Sequence, residues 1–153
     1  MKVLLATDGT PGSIEAAHEV LRLLHPDVEL DVVTVIPETE DPMAMAGGFE
    51  GPLVTEEEAE AEHRRDEAEG RAAIESTLAA VGAQAESEMI ESSDPGRAIC
   101  DLAAQRGVDL LVVGGSEKGF LQRLLHRSVM EYAAHHAPCP VLIVRHSGGD
   151  ETS

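Results

Sequence analysis

Two glycine-containing segments carry the residues of this chain that are best suited to hold a small ligand. The first, residues 7–12 (TDGTPG), follows an apolar run, and its Asp8 offers a carboxylate for a ribose hydroxyl or a metal ion. The second, residues 114–119 (GGSEKG), follows another apolar run and precedes a helical pattern. Glycines let the backbone approach a ligand closely, and the amides at a helix N-terminus bind anions. The chemistry that these segments could support is the binding of a nucleotide.

Neither segment matches a strong nucleotide-binding motif. Gly114 and Gly119 have the outer spacing of a phosphate-binding P-loop, but residues 120–121 (FL) stand where that motif requires Lys and Ser or Thr. The dinucleotide-binding pattern GxGxxG is also missing from the sequence. On spacing alone, ordinary turns between a strand and a helix explain both segments better than nucleotide binding does.

Five strand-like runs alternate with four helical patterns and determine where the two segments lie. Continuous apolar runs are typical of strands that are buried on both faces of a parallel sheet. The strand predictions cover residues 2–7, 29–36, 84–90, 108–113 and 141–145. This alternation, with mostly short connections, predicts an α/β fold with a parallel sheet. In such a sheet, ligands bind beyond the carboxyl ends of the strands, at the point where the strand order reverses.

Local signals at the helix ends predict where the helices begin and end. We expect Ser13 to cap the first helix and Asp94 to cap the third, since both side chains can accept a hydrogen bond from the first turn. Thr55 and Glu58 have the spacing of a capping box at the start of a long, charged helix. With their caps, the predicted helices cover residues 13–24, 55–81, 94–107 and 121–136.

The connection at residues 37–54 is the exception to the short connections. Loops of this length inside a compact domain are usually functional lids or disordered segments. Two interpretations therefore stay open: a mobile and merely variable loop, or a flap that touches a ligand or a partner.

The charge balance of the 153-residue chain excludes some classes of partner. Its 29 acidic and 11 basic side chains give a formal net charge of −18. Such a surface repels phosphate backbones and anionic lipids, so we expect neither nucleic acid nor a membrane surface as a partner. An acid-rich, lysine-poor surface also suits a cytoplasm with molar salt, which indicates a halophilic origin.

The length of the chain suits a single domain, which we predict to span residues 1–147, followed by a flexible tail at residues 148–153. No signal-peptide pattern precedes the first strand, and no apolar stretch approaches the roughly 20 residues of a membrane span. We therefore expect a cytoplasmic protein.

The residue types that support metal binding or hydrolysis occur without the required spacing. Cys100 and Cys139 lie in apolar surroundings, and we expect two reduced thiols. No two histidines stand four residues apart beside a carboxylate, so no metal site is predicted. No serine lies in a GxSxG elbow, and no residue beyond Asp8 is a convincing general base. The chain is therefore not expected to be an enzyme.

Three pieces of the sequence together resemble the universal stress protein family. They are a strand that ends in Asp-Gly-Thr at residues 8–10, a Gly-Ser loop at residues 115–116, and the stretch RSVMEYAAHHAPCPVLIVR at residues 127–145. The resemblance implies an open, mostly parallel five-stranded sheet in the order 3-2-1-4-5 between helices, of the Rossmann-like, adenine nucleotide alpha hydrolase-like type. It also implies a homodimer that pairs through the last strand, residues 141–145, whose apolar edge would otherwise be exposed.

Many members of that family bind ATP through the pattern Gly-x2-Gly-x9-Gly-Ser/Thr after strand four. Carried onto this chain, Gly114 fills the first glycine and Ser128 the last position. Glu117 and Arg127 occupy the positions of the other two glycines of the pattern. A carboxylate near a triphosphate repels it, and an arginine side chain fills space where the backbone amides of the family face the phosphates. Three basic side chains around the same turn compensate in part, namely Lys118, Arg123 and Arg127.

The resemblance therefore supports two functions. In the first, the chain is a cytoplasmic stress-response protein that binds an adenine nucleotide, ATP or AMP with Mg²⁺, as a sensor or regulatory ligand. In the second, it is a nucleotide-free dimeric interaction module whose site has degenerated at Glu117 and Arg127. Val35 is the expected contact on the adenine side, because it lies at the end of the second strand. The full set of expected nucleotide-binding residues is Asp8, Gly9, Val35, Val113, Gly114, Gly119, Arg127, Ser128 and Val129.

Overall fold

The computed structural model of the chain describes residues 1–24, 26–39, 54–82, 85–115 and 128–145. These residues form the strands β1 (Lys2–Ala6), β2 (Glu29–Ile36), β3 (Glu86–Glu91), β4 (Leu110–Gly115) and β5 (Val141–Arg145). They also form the helices α1 (Pro11–Leu23), α2 (Glu56–Val81), α3 (Pro95–Arg106) and α4 (Ser128–His136). None of the helices in this part of the chain has the length and apolar character that a membrane span requires.

The strands form one parallel sheet in the order β3-β2-β1-β4-β5. β1 lies at the centre, where Val3 stands opposite Leu30 of β2 and Leu110 of β4. The chain first extends the sheet on one side, through β2 and β3, and then returns to add β4 and β5 on the other side. The predicted fold class and strand order are both confirmed. The strand order reverses between β1 and β4, where ligands bind in sheets of this kind.

Successive residues of the central strands point to opposite faces of the sheet, which explains why these strands are apolar throughout. On one face, Leu4 and Val33 belong to a cluster that includes side chains of α3 and α4. On the other face, Leu5 and Val112 pack with Val20 and the alanines of α1. Leu4 and Leu5 are completely buried. Since burying one such side chain contributes about 1.5–3 kcal/mol, these two layers fix the helices on the sheet.

The ends of α2 and α3 agree with their sequence signals. The Thr55 amide donates a hydrogen bond to Glu58 Oε2 at 2.9 Å, and the Glu58 amide donates to Thr55 Oγ1 at 3.2 Å. This is the predicted capping box, and Gly82 ends α2 in the left-handed conformation. Asp94 caps α3, which ends before Gly107. The helix boundaries predicted from local signals are thus confirmed for both helices.

The start of α1 differs from the prediction that Ser13 is its cap. The N-cap is Thr10, whose hydroxyl oxygen accepts a hydrogen bond from the Ser13 amide at 3.4 Å. Pro11 occupies the first helical position, where its fixed φ suits the helix and its missing amide proton is not needed. The prediction was wrong because Pro11 lets the helix begin earlier than the apolar pattern indicates.

β3 and β4 extend beyond their predicted carboxyl ends. β3 ends at Glu91, and β4 includes Gly114 and Gly115, which pair with Val144 and Arg145 of β5. Gly114 and Gly115 were predicted to lie in the loop after the strand. The pairing with β5 outweighs the weak strand preference of glycine, because it gives their backbone groups hydrogen-bond partners.

Some predictions concern residues outside the described ranges. These are most of the 37–54 connection, residues 121–127 of the last predicted helix, and the tail at residues 148–153. The described part of the last helix, α4, begins at Ser128.

Candidate functional site

The fold brings the two candidate segments to the same edge of the sheet. β1 leads into Asp8 and Gly9, and the neighbouring β4 ends at Gly114 and Gly115. α1 begins at Pro11, within the first segment, so the amides of its first turn lie at this edge too. A carboxylate and the N-terminus of a helix therefore stand where the strand order reverses, which is the position at which parallel sheets bind ligands.

Hydrogen bonds from the first turn of α1 hold the carboxylate of Asp8. Asp8 Oδ1 accepts from the Thr10 amide at 3.0 Å, from Ser13 Oγ at 2.6 Å, and from the Thr10 hydroxyl. The Asp8 amide in turn donates to Ser13 Oγ at 3.2 Å. Within the described residues, every hydrogen bond to this carboxylate ends on Oδ1, which leaves Oδ2 available to a ligand. Asp8 therefore both holds the start of α1 in place and presents one oriented oxygen at the edge of the sheet.

A second chain of hydrogen bonds ties the segment after β1 to α2. The Gly9 amide donates to Thr7 Oγ1 at 3.1 Å, and the hydroxyls of Thr7 and Thr77 are 2.7 Å apart. Thr77 donates its own proton to the carbonyl of Ala73 at 2.8 Å, so the bond between the two threonines is donated by Thr7. Thr7 and Thr77 are completely buried. The position of Gly9 is thus fixed by hydrogen bonds that lead through Thr7 to Thr77 of α2.

Gly9 has two separate reasons to be glycine. Its φ is +73°, a backbone conformation that side chains of L-amino acids rarely adopt. A Cβ atom at this position would also lie 2.8 Å from the Cα of Ala73, which is too close for non-bonded carbon atoms. The segment after β1 therefore packs directly on the backbone of α2.

A cavity of about 230 Å³ opens beside Asp8 and Gly9. The remaining lining residues all come from α2, namely Glu69, Ala72, Ala73 and Ser76. The carboxylates of Asp8 and Glu69 suit hydroxyl groups or a cation and disfavour a phosphate close by. The volume is below the about 300–1,000 Å³ of pockets for drug-sized ligands, so the cavity suits a small group.

Sequence reasoning missed α2 as a wall of this site. The helix is rich in acidic residues, a composition typical of a solvated surface, and the prediction assigned it no contact with the ligand. Its signal is a short interruption in the charged pattern, where the small residues Ala72, Ala73 and Ser76 let another segment approach. That the approaching segment would be the end of β1 follows only from the tertiary structure.

Gly114 faces α1, and this contact explains why the residue is glycine. A Cβ atom at Gly114 would lie 2.7 Å from the carbonyl oxygen of Gly12 and 2.8 Å from Cβ of Ala16. Even alanine would therefore push β4 and α1 apart. The first glycine of the family pattern has a packing role in this chain, whether or not a phosphate lies near it.

The valines of the predicted site belong to the core. Val35 is 0% and Val113 2% exposed, and both lie in the cluster that packs against α3 and α4. Val129 of α4 is a member of the same cluster. A ligand at these positions would therefore meet backbone atoms, because the side chains are enclosed. Ser128, the last matched position of the pattern, is the first residue of α4.

The remaining predicted contacts, Gly119 and Arg127, lie outside the described residues. The same holds for Glu117, Lys118 and Arg123, whose charges were expected to influence the affinity for phosphate. The phosphate half of the site therefore stays a prediction from the sequence.

The two cysteines are free, as expected, with Cys100 buried and Cys139 half-buried. Burial raises the pKa of both thiols. The neutral thiol is thus favoured at neutral pH, whereas the nucleophilic form of cysteine is the thiolate. Neither side chain is suited to covalent catalysis.

Comparison with known proteins agrees with the fold. The sequence model of the universal stress protein family matches residues 1–145. The chain belongs to the universal stress protein family. A universal stress protein of Methanocaldococcus jannaschii is 30% identical over 148 residues, which cover 94% of this chain and 81% of the relative.

Solved structures of universal stress proteins share this fold. A family member from Arabidopsis thaliana with AMP bound has a TM-score of 0.64 and 19% identity, covering 95% of this chain and 91% of that chain. The universal stress protein from Archaeoglobus fulgidus in complex with dAMP has a TM-score of 0.57 and 19% identity, covering 94% of this chain and 97% of that chain. At these identities, the likeness concerns the fold.

Proposed function

We propose that this universal stress protein binds an adenine nucleotide at the carboxyl ends of β1 and β4, as a sensor or regulatory ligand in the cytoplasm. The observation that carries the proposal is the oriented carboxylate of Asp8, whose Oδ1 is held at the start of α1 while Oδ2 accepts no hydrogen bond from the part of the chain that the structure describes. An ionised acceptor fixed in this way binds a hydroxyl group strongly, because it needs no reorganisation. The hydroxyls of a ribose are groups of this kind.

The charges of the site favour different places for the ribose and for the phosphates of the nucleotide. The cavity beside Asp8 is also lined by Glu69, so the ribose is the part of the ligand that fits it. The phosphates would lie on the other side of the α1 N-terminus, next to the segment after β4 and the start of α4. Mg²⁺ would be held by the phosphates and by water, because Asp8 Oδ2 is assigned to the ribose.

Two proteins with the same fold support adenine as the base. The Arabidopsis thaliana protein was crystallised with AMP, and the Archaeoglobus fulgidus protein with dAMP. A ligand that is bound and not converted fits the chemistry of the cavity, because one oxygen of Asp8 is already committed to α1. We therefore propose a binding protein and not an enzyme.

One observation favours the second function, a nucleotide-free dimeric module. Asp8 organises the start of α1, and Gly114 permits the packing of β4 on α1, so both residues have roles that need no nucleotide. The dimer would form through β5, which lies at the edge of the sheet and exposes 39% of Ile143. An open, apolar strand edge is a site for pairing with a second copy.

The test of nucleotide binding begins with the protein as purified. It is denatured, the released small molecules are analysed for AMP, ADP and ATP, and the refolded or nucleotide-free protein is titrated with ATP and Mg²⁺. Molar KCl is used because the acidic surface suits high salt. We expect bound nucleotide or saturable binding below millimolar ATP. The absence of both would leave the dimeric module as the function.

The dimer is tested by light scattering on Ile143→Asp, which places a charge on the edge of β5. The matched control is Leu23→Asp, since Leu23 is also exposed but lies on α1. We expect Ile143→Asp to be monomeric and both the control and the wild type to be dimeric. A monomeric wild type, or a dimeric Ile143→Asp protein, would contradict pairing through β5.

A further inference from the structure

Three side chains that commonly bind metals meet outside the cavity beside Asp8. His63 and Glu67 lie four residues apart on α2, and Glu91 is the last residue of β3. His63 Nε2 is 3.3 Å from Glu67 Oε1 and 3.2 Å from Glu91 Oε1. One ligand atom from each residue lies within 4.8 Å of the other two. The cluster thus joins α2 to the edge strand of the sheet.

The two distances from His63 Nε2 match the spacing of ligands around one small ion. A tetrahedral ion with bonds of about 2.0–2.2 Å holds its ligand atoms about 3.3–3.6 Å apart. A direct hydrogen bond between a charged nitrogen and a carboxylate is shorter, about 2.7–2.9 Å. The two observed separations, 3.3 and 3.2 Å, are longer than such a hydrogen bond and close to the tetrahedral spacing.

The other nitrogen of His63 has the kind of partner that supports a metal ligand. Its Nδ1 lies 2.8 Å from the hydroxyl oxygen of Thr39, which follows β2. When Nδ1 donates its proton to Thr39, Nε2 presents a lone pair to the carboxylates of Glu67 and Glu91. Three electron-rich atoms then face one another, and a cation between them removes their repulsion. Histidines that bind metals usually donate their second ring proton in this manner.

We propose that His63, Glu67 and Glu91 bind one divalent transition-metal ion of the Zn²⁺ type. The imidazole nitrogen favours such an ion over Mg²⁺, which prefers oxygen ligands in octahedral geometry. Three protein ligands leave a fourth position for water. No metal site was predicted from the sequence, because the pattern sought there was two histidines four residues apart on one helix. In the structure, α2 supplies one histidine and one glutamate, and the third ligand comes from β3. The ion would fasten α2 to the edge of the sheet and so stabilise the folded protein.

The experiment is a titration of the chelator-treated, metal-free protein with Zn²⁺ by calorimetry. The buffer contains molar KCl and excess Mg²⁺, which suppress the diffuse association of cations with the acidic surface. We expect one Zn²⁺ per chain, and Co²⁺ in its place should give the visible absorption of a tetrahedral site. Glu67→Gln and Glu91→Gln should each weaken Zn²⁺ binding at least about tenfold, and Thr39→Val about 10- to 100-fold.

The matched control is Glu75→Gln, which removes the same charge from an exposed position further along α2. It should leave the affinity for Zn²⁺ unchanged. Circular dichroism and the melting temperature of each metal-free variant confirm that it is folded, and Glu67→Gln and Glu91→Gln test the site independently. No saturable Zn²⁺ binding, equal affinity in all variants, or an equal loss in Glu75→Gln would each overturn the proposal.

Discussion

The segment after β1 is held by side-chain hydrogen bonds in addition to the close packing of Gly9 on α2, whereas the end of β4 is held by close packing on α1 and by pairing with β5. After β1, the carboxylate of Asp8 and the buried hydroxyls of Thr7 and Thr77 position the chain between α1 and α2. At the end of β4, Gly114 lies against the backbone of α1 with no room for a side chain. The two segments have similar glycine-rich sequences, and among their described residues the oriented polar group belongs to the first.

The difference shows what each segment contributes to the site. The hydrogen bonds after β1 fix a carboxylate at the edge of the sheet, and this carboxylate is the group proposed to recognise a ligand. The packing of Gly114 on α1 fixes the distance between α1 and the sheet. Removing the charge of Asp8 should therefore mainly change ligand binding, whereas filling the space at Gly9 or Gly114, or breaking the Thr7–Thr77 hydrogen bond, should mainly change stability.

The largest effect is expected for Gly9→Ala. The positive φ costs a residue with a side chain about 1–2 kcal/mol, and over-packing against the Ala73 backbone costs about 1–3 kcal/mol more. We therefore expect the free energy of unfolding to fall by about 2–5 kcal/mol, as measured with a chemical denaturant. A decrease below about 1 kcal/mol would show that the segment after β1 adapts more easily than this packing implies.

Gly114→Ala and Gly82→Ala separate the cost of over-packing from the cost of a positive φ. A Cβ atom at Gly114 would meet α1 atoms at 2.7–2.9 Å, so its variant should lose about 1–3 kcal/mol through over-packing alone. Gly82 has a φ of +60° and nothing near its missing Cβ, so its variant should lose only the cost of backbone strain, about 1 kcal/mol. If Gly114→Ala were as stable as the wild type, close packing would not define the end of β4.

Thr77→Val is expected to lower the free energy of unfolding by about 1–2 kcal/mol. The buried hydroxyl of Thr7 then loses its acceptor, and a buried donor without a partner costs energy of this order. The control is a double-mutant cycle with Thr7→Val. The double variant should lose less stability than the sum of the losses in the two single variants. Additive losses would mean that the two threonines do not act as a pair.

The sequence was sufficient for most of the fold because the relevant signals are local. The capping box at Thr55 and the Asp94-Pro95 pair are short-range patterns whose physical effect does not depend on the rest of the molecule. The apolar runs identify central strands because such strands are covered on both faces. The order of the strands came from the resemblance to a family, since strand pairing is a long-range property.

The site could be predicted only in part, because its remaining features depend on contacts between distant segments. Asp8 was found from its position after a buried strand, but the wall formed by α2 was not. The inclusion of Gly114 in β4 depends on pairing with Val144, and the meeting of His63 with Glu91 depends on the packing of α2 beside β3. A sequence pattern along one element contains none of this information.

The most direct test of nucleotide binding at this edge is calorimetric titration of Asp8→Asn with ATP and Mg²⁺ in molar KCl. Asparagine keeps an oxygen at the Oδ1 position, where the Thr10 amide and the Ser13 hydroxyl direct it, but removes the charged acceptor at Oδ2. Loss of the negative charge near the start of α1 should cost at most about 1 kcal/mol of stability.

The matched control is Asp101→Asn, which makes the same substitution at an exposed position on α3. We predict that Asp8→Asn weakens ATP binding about 10- to 100-fold, since a hydrogen bond to a charged group contributes about 1.5–3 kcal/mol, while Asp101→Asn binds like the wild type. Equal affinity in Asp8→Asn and the wild type, or no ATP binding by the wild type, would contradict the account.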